Sequence, residues 1–244
     1  MEIRNKKALA AKPGAVLMDI DNTIYAYDPA HEAASDAAMR KTMHLLGVKQ
    51  SEFEPAYKEA SREVKQILGK TAASHSRLLY FARMLERLGM KSQPLMALDL
   101  EQTYWRNFLS ASKLFPQLKE FLEDLRGAGI PVAAVTDLTA QIQFRKLIYF
   151  GVDHNFDYIV TSEQAGVEKP EPKPFQMALE RLAVPEGKPV WFVGDDAVKD
   201  IAGAKAAIGA VTLQKLHDGV TASGESDAVF EHFRELRDLL RKAE

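Results

Sequence analysis

The stretch Ala15-Val-Leu-Met-Asp-Ile-Asp-Asn-Thr23 decides the fold of this chain. Its first four residues are apolar and strand-forming, and two carboxylates and a hydroxyl follow at alternate positions. Residues two apart on a strand point the same way and lie ~6.6–6.8 Å apart. Asp19 and Asp21 are therefore predicted to flank one small group, as a nucleophile and a proton donor would. Taken alone, the motif is also compatible with turn chemistry, because Asp-x-Asp is common where a strand ends.

Three later segments place further polar residues after strand-like runs or in adjoining loops, namely Ile130–Asp137, Val167–Phe175 and Val190–Asp196. In an open parallel sheet the carboxyl ends of the strands share one edge, where ligands bind. We therefore expect acids, a hydroxyl and a lysine to converge at this edge. Each residue alone has a simpler explanation, as a helix cap for a threonine or aspartate or as a solvated charge for a lysine. The residues concerned are Thr136, Asp137, Lys169, Lys173, Asp195, Asp196 and Asp200.

The motifs, in this order, resemble the four sequence motifs of the haloacid dehalogenase-like hydrolase superfamily. They are Asp19-Ile-Asp21-Asn-Thr23, Thr136, Lys169, and Gly194-Asp195-Asp196 followed by Asp200. The resemblance extends from about Ala15 to Leu213 and leaves only the two ends of the chain outside it. The combination is far more specific than any one of its elements.

The resemblance implies phosphoryl transfer through an aspartyl-phosphate. Asp19 would be the nucleophile, and Asp21 would protonate the leaving oxygen and then deprotonate the water that hydrolyses the intermediate. Thr136 and Lys169 would bind the phosphoryl oxygens, with the lysine offsetting negative charge. Thr23 and Asp137 are also predicted to line the substrate site.

The resemblance also implies a Mg²⁺ site. Asp19, the backbone carbonyl of Asp21 and Asp195 would be the protein ligands, because Mg²⁺ prefers oxygen ligands in octahedral geometry. Asp196 and Asp200 are predicted to support these ligands from behind. Without the cation, several carboxylates would repel a phosphate dianion, so this interpretation requires the metal.

Three positions leave alternatives open. Asp196 stands where the superfamily more often has a small hydroxyl residue, so either it or Asp195 could reach the metal, and the alignment of Gly194-Asp195 favours Asp195. Asp137 stands where Asn or Ser is frequent, and it is predicted either to line the site or to cap a helix that begins near Leu138, with the cap preferred. Lys173 is a possible substitute for Lys169, although Lys169-Pro170 matches the motif better.

Asp21 also separates the chemistries of the superfamily. Dehalogenases and phosphonatases usually lack an acid at this position, so its presence favours phosphoester hydrolysis. The implied function is a Mg²⁺-dependent phosphomonoesterase for a small phosphorylated metabolite, either a nucleoside monophosphate or a sugar phosphate. The form Asp-Ile-Asp-Asn-Thr-Ile-Tyr of the first motif slightly favours the nucleotidase branch. The alternatives are a phosphomutase or phosphotransferase, a haloacid dehalogenase, and a non-catalytic phosphate-binding protein.

The pattern of the chain predicts an α/β fold, a doubly wound parallel sheet with a Rossmann-like core, interrupted by an all-helical insert. The core is predicted to comprise residues 1–27 and 114–244, and the insert residues 28–113. We expect residues 1–13 to form a loosely ordered extension. The predicted strands are Ala15–Met18, Val132–Val135, Tyr158–Thr161, Val190–Val193 and Ala210–Leu213.

The insert shows helical periodicity and resembles the substrate-selecting cap of the superfamily's subclass I. Helices are predicted to end at Gly47, Gly69 and Gly89. The residues considered for leaving-group contacts are His75, Arg77, Trp105 and Arg106. For these residues we favour a structural role over a substrate contact, and we expect Trp105 in the core of the insert and the two arginines at its surface.

Composition limits the classes of partner. The 244 residues include 32 basic and 34 acidic side chains, so the chain lacks the basic surplus typical of nucleic-acid-binding proteins. It has no cysteine, which excludes disulfides and thiol catalysis and fits a reducing cytoplasm. No apolar run approaches the ~20 residues of a membrane span, and the first residues lack the apolar core of a signal peptide. We expect a cytoplasmic monomer or homodimer that binds a small phosphorylated metabolite and neither nucleic acid nor membrane.

Overall fold

The computed structural model describes residues 1–243, which form two compact units. One unit consists of Met1–Ala26 and the chain from Lys113 onward, and it contains the β-sheet. The other, Tyr27–Ser112, contains helices and no strand among its residues, all of which are described. No helix in residues 1–243 is long and apolar enough to cross a membrane.

The sheet has seven strands in the order β1-β7-β6-β5-β2-β3-β4. All neighbouring strands are parallel except β1, which is antiparallel to β7 at one edge. All four residues of the central strand β2 are buried, as expected for a parallel strand covered on both faces. The predicted α/β parallel-sheet fold is therefore confirmed. The strands are β1 Glu2–Ile3, β2 Ala15–Met18, β3 Val132–Thr136, β4 Tyr158–Thr161, β5 Val190–Gly194, β6 Val211–Lys215 and β7 Ala228–Phe230.

The helical unit has four α-helices and one short 3₁₀ turn. Helix α1 presents small buried residues every fourth position to its neighbour α4, which permits close packing of the two helices. The first two helices end directly before Gly47 and Gly69, whose positive φ angles of 68° and 61° suit glycine. The elements are α1 Tyr27–Leu46, α2 Gln50–Leu68, a 3₁₀ turn Ala72–His75, α3 Arg77–Arg87 and α4 Pro94–Ala111.

Six further helices belong to the α/β unit. Helices α8 and α9 pack on the sheet through a cluster that includes Phe175 and Phe192, whose ring centroids lie 5.3 Å apart. A π-helical turn, Ala197–Ala202, leads from β5 into α9 and carries the site residue Asp200. The helices are α5 Leu118–Gly127, α6 Ala140–Phe150, α7 Ser162–Ala165, α8 Pro172–Arg181, α9 Gly203–Ile208 and α10 Phe233–Lys242, with a 3₁₀ turn at Asp153–Asn155.

The expectation of a loose N-terminal extension is wrong. Glu2 and Ile3 pair with β7, which would otherwise be the edge strand, and the backbone N–H groups of Arg4 and Asn5 donate to the carbonyl of Asp227 at 2.8 and 3.0 Å. An edge strand offers a row of unpaired N–H and C=O groups, and the N-terminus satisfies part of this row. Strand β7 itself was not predicted, because three residues are too few to show a period.

Candidate active site

The backbone directly after β2 directs the side chain of Thr23 back onto the acids. Asn22 adopts a left-handed conformation with φ of 62°, and the buried Oγ1 of Thr23 then donates towards Asp19 Oδ2 at 3.3 Å and Asp195 Oδ1 at 3.4 Å. A hydroxyl has one proton to donate, and here it faces carboxylates. Thr23 therefore orients two carboxylates of the site, and its role in lining the substrate site stays a prediction.

Lys169 lies between two buried acids. Its Nζ is 2.6 Å from Asp19 Oδ1 and 2.6 Å from Asp200 Oδ1, and all three side chains are almost fully buried. Lys173, considered as its substitute, is an exposed residue of α8. Of the two lysines, Lys169 is therefore the one that contacts Asp19.

The charges in this cluster do not balance. Burial lowers the pKa of Lys169, but the opposite charges of Asp19 and Asp200 outweigh burial and hold it well above its usual value. Burial, reinforced by the charge of Asp200, raises the pKa of Asp19 in spite of the lysine. Burial also raises the pKa of Asp200. One ammonium is thus shared by more carboxylates than it can neutralise.

Asp200 approaches the end of β5 because residue 194 is glycine. Its Oδ2 accepts hydrogen bonds from the backbone N–H groups of Asp195 and Asp196, each at 3.1 Å. A Cβ at Gly194 would lie 2.5 Å from this oxygen, closer than non-bonded atoms can approach. Glycine is therefore required for Asp200 to support both Asp195 and Lys169.

The acids form a set that fits a divalent cation. Each of Asp19, Asp195 and Asp200 has an oxygen within 4.8 Å of the others. Burial, followed by the charge of Asp200, raises the pKa of Asp195 to about 7. Crowded carboxylates with raised pKa values gain from a bound cation, and an all-oxygen donor set suits Mg²⁺. Asp196 faces elsewhere, since its Oδ1 accepts from the backbone N–H groups of Val198 and Lys199, each at 2.8 Å.

Asp137 does not cap the helix that follows it. Helix α6 begins at Ala140, later than predicted, and the Ala140 N–H donates to Glu163 at 2.8 Å. The Asp137 carboxylate instead accepts from the backbone N–H of Lys169 at 3.0 Å and from Lys199 Nζ at 2.8 Å. The preferred cap interpretation is therefore wrong, because the turn after β3 directs this carboxylate towards the loop that carries Lys169.

Helix α6 supplies site contacts that were not predicted from the sequence. The Nζ of the fully buried Lys146 lies 2.6 Å from Asp21 Oδ1, an oxygen that also accepts from the Tyr25 hydroxyl. Gln143 Nε2 donates to Asp21 Oδ2 at 3.0 Å and to Thr136 Oγ1 at 2.8 Å. These contacts connect the second carboxylate of the first motif to the threonine of the second.

The contacts of α6 also set the protonation of Asp21. Burial raises its pKa, but Lys146, Tyr25 and Gln143 together outweigh burial and lower the pKa below its usual value. Asp21 is thus held as a carboxylate that accepts hydrogen bonds on both oxygens. The sequence does carry a signal for this helix face, because residues 143, 146, 147 and 150 follow the i, i+3, i+4, i+7 spacing of a buried face.

In the helical unit, the candidate residues differ in exposure, and His75 and Arg77 are half-buried. Arg77 Nη2 donates to the Tyr27 hydroxyl at 2.6 Å, and the guanidinium lies 5.2 Å from the ring centroids of Tyr80 and Tyr104. The preference for a surface Arg77 is therefore wrong, since an aromatic cluster encloses its guanidinium. Trp105 is buried, as preferred, and Arg106 is exposed.

Comparisons with known proteins agree on one family. A model of the haloacid dehalogenase-like hydrolase family matches residues 13–207, which include every motif described above. The chain belongs to this family. It is a phosphatase by similarity as well, because it is 41% identical over 215 residues to a ribulose-1,5-bisphosphate 5-phosphatase of Halopiger xanaduensis, with 88% of this chain and 87% of the relative covered.

Two further comparisons support the same assignment for this haloacid dehalogenase-like phosphatase. A glyceraldehyde 3-phosphate phosphatase of Methanopyrus kandleri is 34% identical over 234 residues, which cover 93% of this chain and 97% of the relative. The crystal structure of a phosphatase of the same family from Thermococcus onnurineus has a TM-score of 0.66 and 25% identity, with 94% of this chain and 98% of that chain covered.

Proposed function

We propose that this phosphatase is Mg²⁺-dependent and hydrolyses the phosphomonoester of a small sugar phosphate through an aspartyl-phosphate on Asp19. The observation that carries the proposal is the environment of Asp19. This buried carboxylate follows the central strand, contacts Lys169 at 2.6 Å and lies in a cluster of three acids. A nucleophilic carboxylate needs such a fixed position and a cation that offsets the charge of the incoming phosphoryl group.

The neighbours of Asp19 supply the remaining steps. Lys169 holds Oδ1 of Asp19 at 2.6 Å, whereas Oδ2 accepts the longer hydrogen bond from Thr23 at 3.3 Å, so Oδ2 is the oxygen that we assign to the attack on phosphorus. Asp21, which α6 holds as a carboxylate in the free enzyme, would take up a proton from solvent when substrate binds, transfer it to the leaving oxygen, and accept one from water in the second half of the reaction. Thr136 would bind a phosphoryl oxygen, because its hydroxyl stands at the carboxyl end of β3, next to β2 in the sheet.

The acid cluster fits the cation that the proposal requires. Asp19, Asp195 and the backbone carbonyl of Asp21 are the proposed Mg²⁺ ligands, with Asp200 in support. When bound, the metal would neutralise the carboxylates and the phosphate that they would otherwise repel. Asp196 is not proposed as a ligand, since its side chain accepts hydrogen bonds from the π-helical turn.

The names of the relatives favour a sugar phosphate over a nucleoside monophosphate. A bisphosphorylated ketopentose and a phosphorylated triose are the substrates that these names give. We extend this substrate class to the present chain as part of the proposal. We also propose that the helical insert, residues 28–113 of the sequence, is the unit that selects the substrate.

Phosphate release from a panel of esters tests the proposal. The panel contains ribulose 1,5-bisphosphate, glyceraldehyde 3-phosphate, nucleoside monophosphates and p-nitrophenyl phosphate, each with Mg²⁺ or with EDTA. We expect turnover of sugar phosphates with Mg²⁺ and its loss with EDTA. Asp19→Asn should lower kcat by at least about 10³-fold, because it removes the nucleophile.

The matched control is Asp153→Asn, at an exposed acid of the 3₁₀ turn, which should retain full activity. Metal-independent turnover, or turnover that survives Asp19→Asn, would overturn the proposal. Preference for a nucleoside monophosphate would keep the mechanism and refute the substrate class. Phosphate transfer to a second hydroxyl without release of inorganic phosphate would identify a mutase.

A further inference from the structure

Three lysines of the α/β unit are almost wholly buried, and one of them lacks a counter-ion. Lys146, Lys169 and Lys215 are 0%, 4% and 2% exposed. Lys146 and Lys169 form ion pairs with aspartates at 2.6 Å. In the described part of the chain, Lys215 has no carboxylate oxygen within the 4.0 Å of an ion pair. Buried charges in proteins are normally paired, so Lys215 is a buried cation that a bound anion would neutralise.

The contacts of Lys215 leave donor capacity unused. Its Nζ donates to the carbonyl of Leu216 at 2.7 Å and lies 4.0 Å from the ring centroid of Phe115. An ammonium group has three N–H donors, and the aromatic ring occupies one side of it without accepting a conventional hydrogen bond. Donors therefore remain for a ligand that carries oxygen atoms.

A cavity of about 480 Å³ adjoins this ammonium group. The volume lies within the range of small-molecule sites, roughly 300–1,000 Å³. Its lining includes Phe115, Lys215 and His217 together with Glu231 and His232. Of these residues, Lys215 is buried, whereas Glu231 and His232 are exposed and lie at the rim.

The cavity lies beside the acid cluster. Strand β6, which ends at Lys215, is the neighbour of β5, which ends at Gly194 just before Asp195. His217 lines the cavity, and its Nε2 is 3.9 Å from Asp195 Oδ2. The cavity and Asp19 therefore lie in the same unit and along the same sheet edge, so a substrate bound at Asp19 could extend towards the cavity.

We propose that Lys215 binds a second anionic group of the substrate in this cavity, a phosphate or a carboxylate carried by the alcohol that leaves. The inference rests on the proposed function and adds a substrate class to it, the phosphoester with two anionic groups. A phosphate or carboxylate accepts from the unused donors and provides the missing counter-ion. The exposed acids at the rim, Asp218 and Glu231, are screened by water and oppose this binding less than Lys215 favours it.

The pKa of Lys215 agrees with a site built for an anion. Burial lowers it to about 8, against the opposing charges of Glu231 and Asp195. The side chain is still largely a cation at neutral pH. A bound anion would compensate for the hydration that the ammonium group of Lys215 loses on burial.

Two matched pairs of substrates test the proposal. Ribulose 1,5-bisphosphate and ribulose 5-phosphate differ by one phosphate, and 3-phosphoglycerate and glycerol 3-phosphate differ by a carboxylate. Lys215→Met should raise KM for the preferred doubly anionic ester about 10- to 100-fold, the effect of losing a hydrogen bond to a charged group. It should leave kcat unchanged and leave KM for its singly anionic partner unchanged. Whichever pair responds identifies the second anion.

Two further variants separate charge from packing. Lys215→Arg retains the cation and should recover much of the preference for two anionic groups. Lys205→Met removes a partly exposed lysine that pairs with Asp227 at 3.2 Å, and it should leave both substrate pairs unaffected. Equal KM changes for both members of each pair, or no change in either, would overturn the proposal.

A binding measurement keeps this proposal separate from the proposed function. Calorimetric titration of Asp19→Asn with ribulose 1,5-bisphosphate and with 3-phosphoglycerate needs no turnover. Addition of Lys215→Met should weaken binding of the preferred ligand about 10- to 100-fold. Equal affinities with and without Lys215 would refute the anion site even in an active phosphatase. Absence of turnover with Lys215-dependent binding would refute the proposed function alone.

Discussion

The two units of the chain bury charged and polar groups in different ways. In the α/β unit, Lys169 and Lys146 are paired with carboxylates at 2.6 Å. In the helical unit, the guanidinium of Arg77 contacts the rings of Tyr80 and Tyr104, and its pKa is raised although burial opposes this. The guanidinium donates hydrogen bonds to two uncharged oxygens, the Tyr27 hydroxyl and the carbonyl of His75.

The difference shows which unit is arranged for chemistry. A buried ion pair is weak evidence for stability, because desolvation offsets most of the attraction between the charges. A set of acids such as Asp19, Asp195 and Asp200 is therefore not explained by folding stability. The aromatic cluster around Arg77 combines apolar burial with cation–π contacts and stabilises its unit as any core does. Breaking a charge pair of the α/β unit should accordingly have a larger effect on stability or activity than changing a titratable group of the helical unit.

The largest effect is expected for Lys169→Met. This change leaves Asp19 and Asp200 buried without their cation, and removing one partner of a buried pair costs about 3–5 kcal/mol. Urea unfolding without Mg²⁺ measures the loss. Lys173→Met, at the exposed lysine four residues away, should change stability by less than about 0.5 kcal/mol. A decrease of less than about 1 kcal/mol in the unfolding free energy of Lys169→Met would show that the ion pairs of Lys169 stabilise the fold no more than surface ion pairs do.

A smaller, selective effect is expected for Lys146→Met. Loss of this lysine frees one oxygen of Asp21 from its ion pair, so the carboxylate is no longer held in place for the proton transfer that we propose for it. Misplacing a general acid costs about 100-fold with an alkyl phosphate, whose leaving oxygen needs a proton. p-Nitrophenyl phosphate should be affected much less, since p-nitrophenolate leaves without one. The measurement is kcat/KM for both esters.

Two variants examine the same helix. Lys146→Arg should restore part of the lost rate with the alkyl phosphate, because it retains a cation facing Asp21. Gln143→Leu removes the donor to the other oxygen of Asp21 and to Thr136, so it should slow both esters. An equal decrease in kcat/KM for both esters in Lys146→Met would show that the lysine maintains the structure of the site and does not act through proton transfer.

The smallest effect is expected for the pH dependence of the helical unit. Burial, with a contribution from the charge of Arg77, lowers the pKa of His31 to about 4. Between about pH 6.5 and 4 the unfolded chain binds a proton that folded His31 does not, so stability falls as the pH is lowered through this window. Because His31 is partly exposed, solvent screens the effect, and the expected loss in the free energy of unfolding is about 1–2 kcal/mol.

Unfolding free energies of wild type and His31→Asn across this pH window measure the contribution. Acidic groups titrate in both proteins, so the difference between the two curves isolates His31. The difference should grow from pH 4 to 6.5 in favour of the wild type and then level off. His154→Asn, at an exposed histidine, should follow the wild-type curve. Parallel curves for His31→Asn would show that His31 takes up its proton in the folded state as well.

Local sequence predicted most of the sheet and the members of the acid cluster. Strands β2 and β4 begin and end as expected, because short apolar runs bounded by turn residues have a strong local signal. The sequence failed where one element depends on a distant one. The strand at Glu2–Ile3 forms only because β7 offers it an edge, and its two residues have no period of their own.

The sequence by itself determined that acids and a lysine meet at one edge, since Asp19, Asp21, Lys169 and Asp195 follow strands whose carboxyl ends share that edge. Tertiary structure alone decided which side chain each of them contacts. Lys146 and Gln143 reach Asp21 from more than 120 residues away, and the surrounding elements bury Lys215 without placing a carboxylate of residues 1–243 beside it. The reason is physical: the type of a residue fixes the charge it can carry, whereas burial and the distance to its neighbours fix what that charge does.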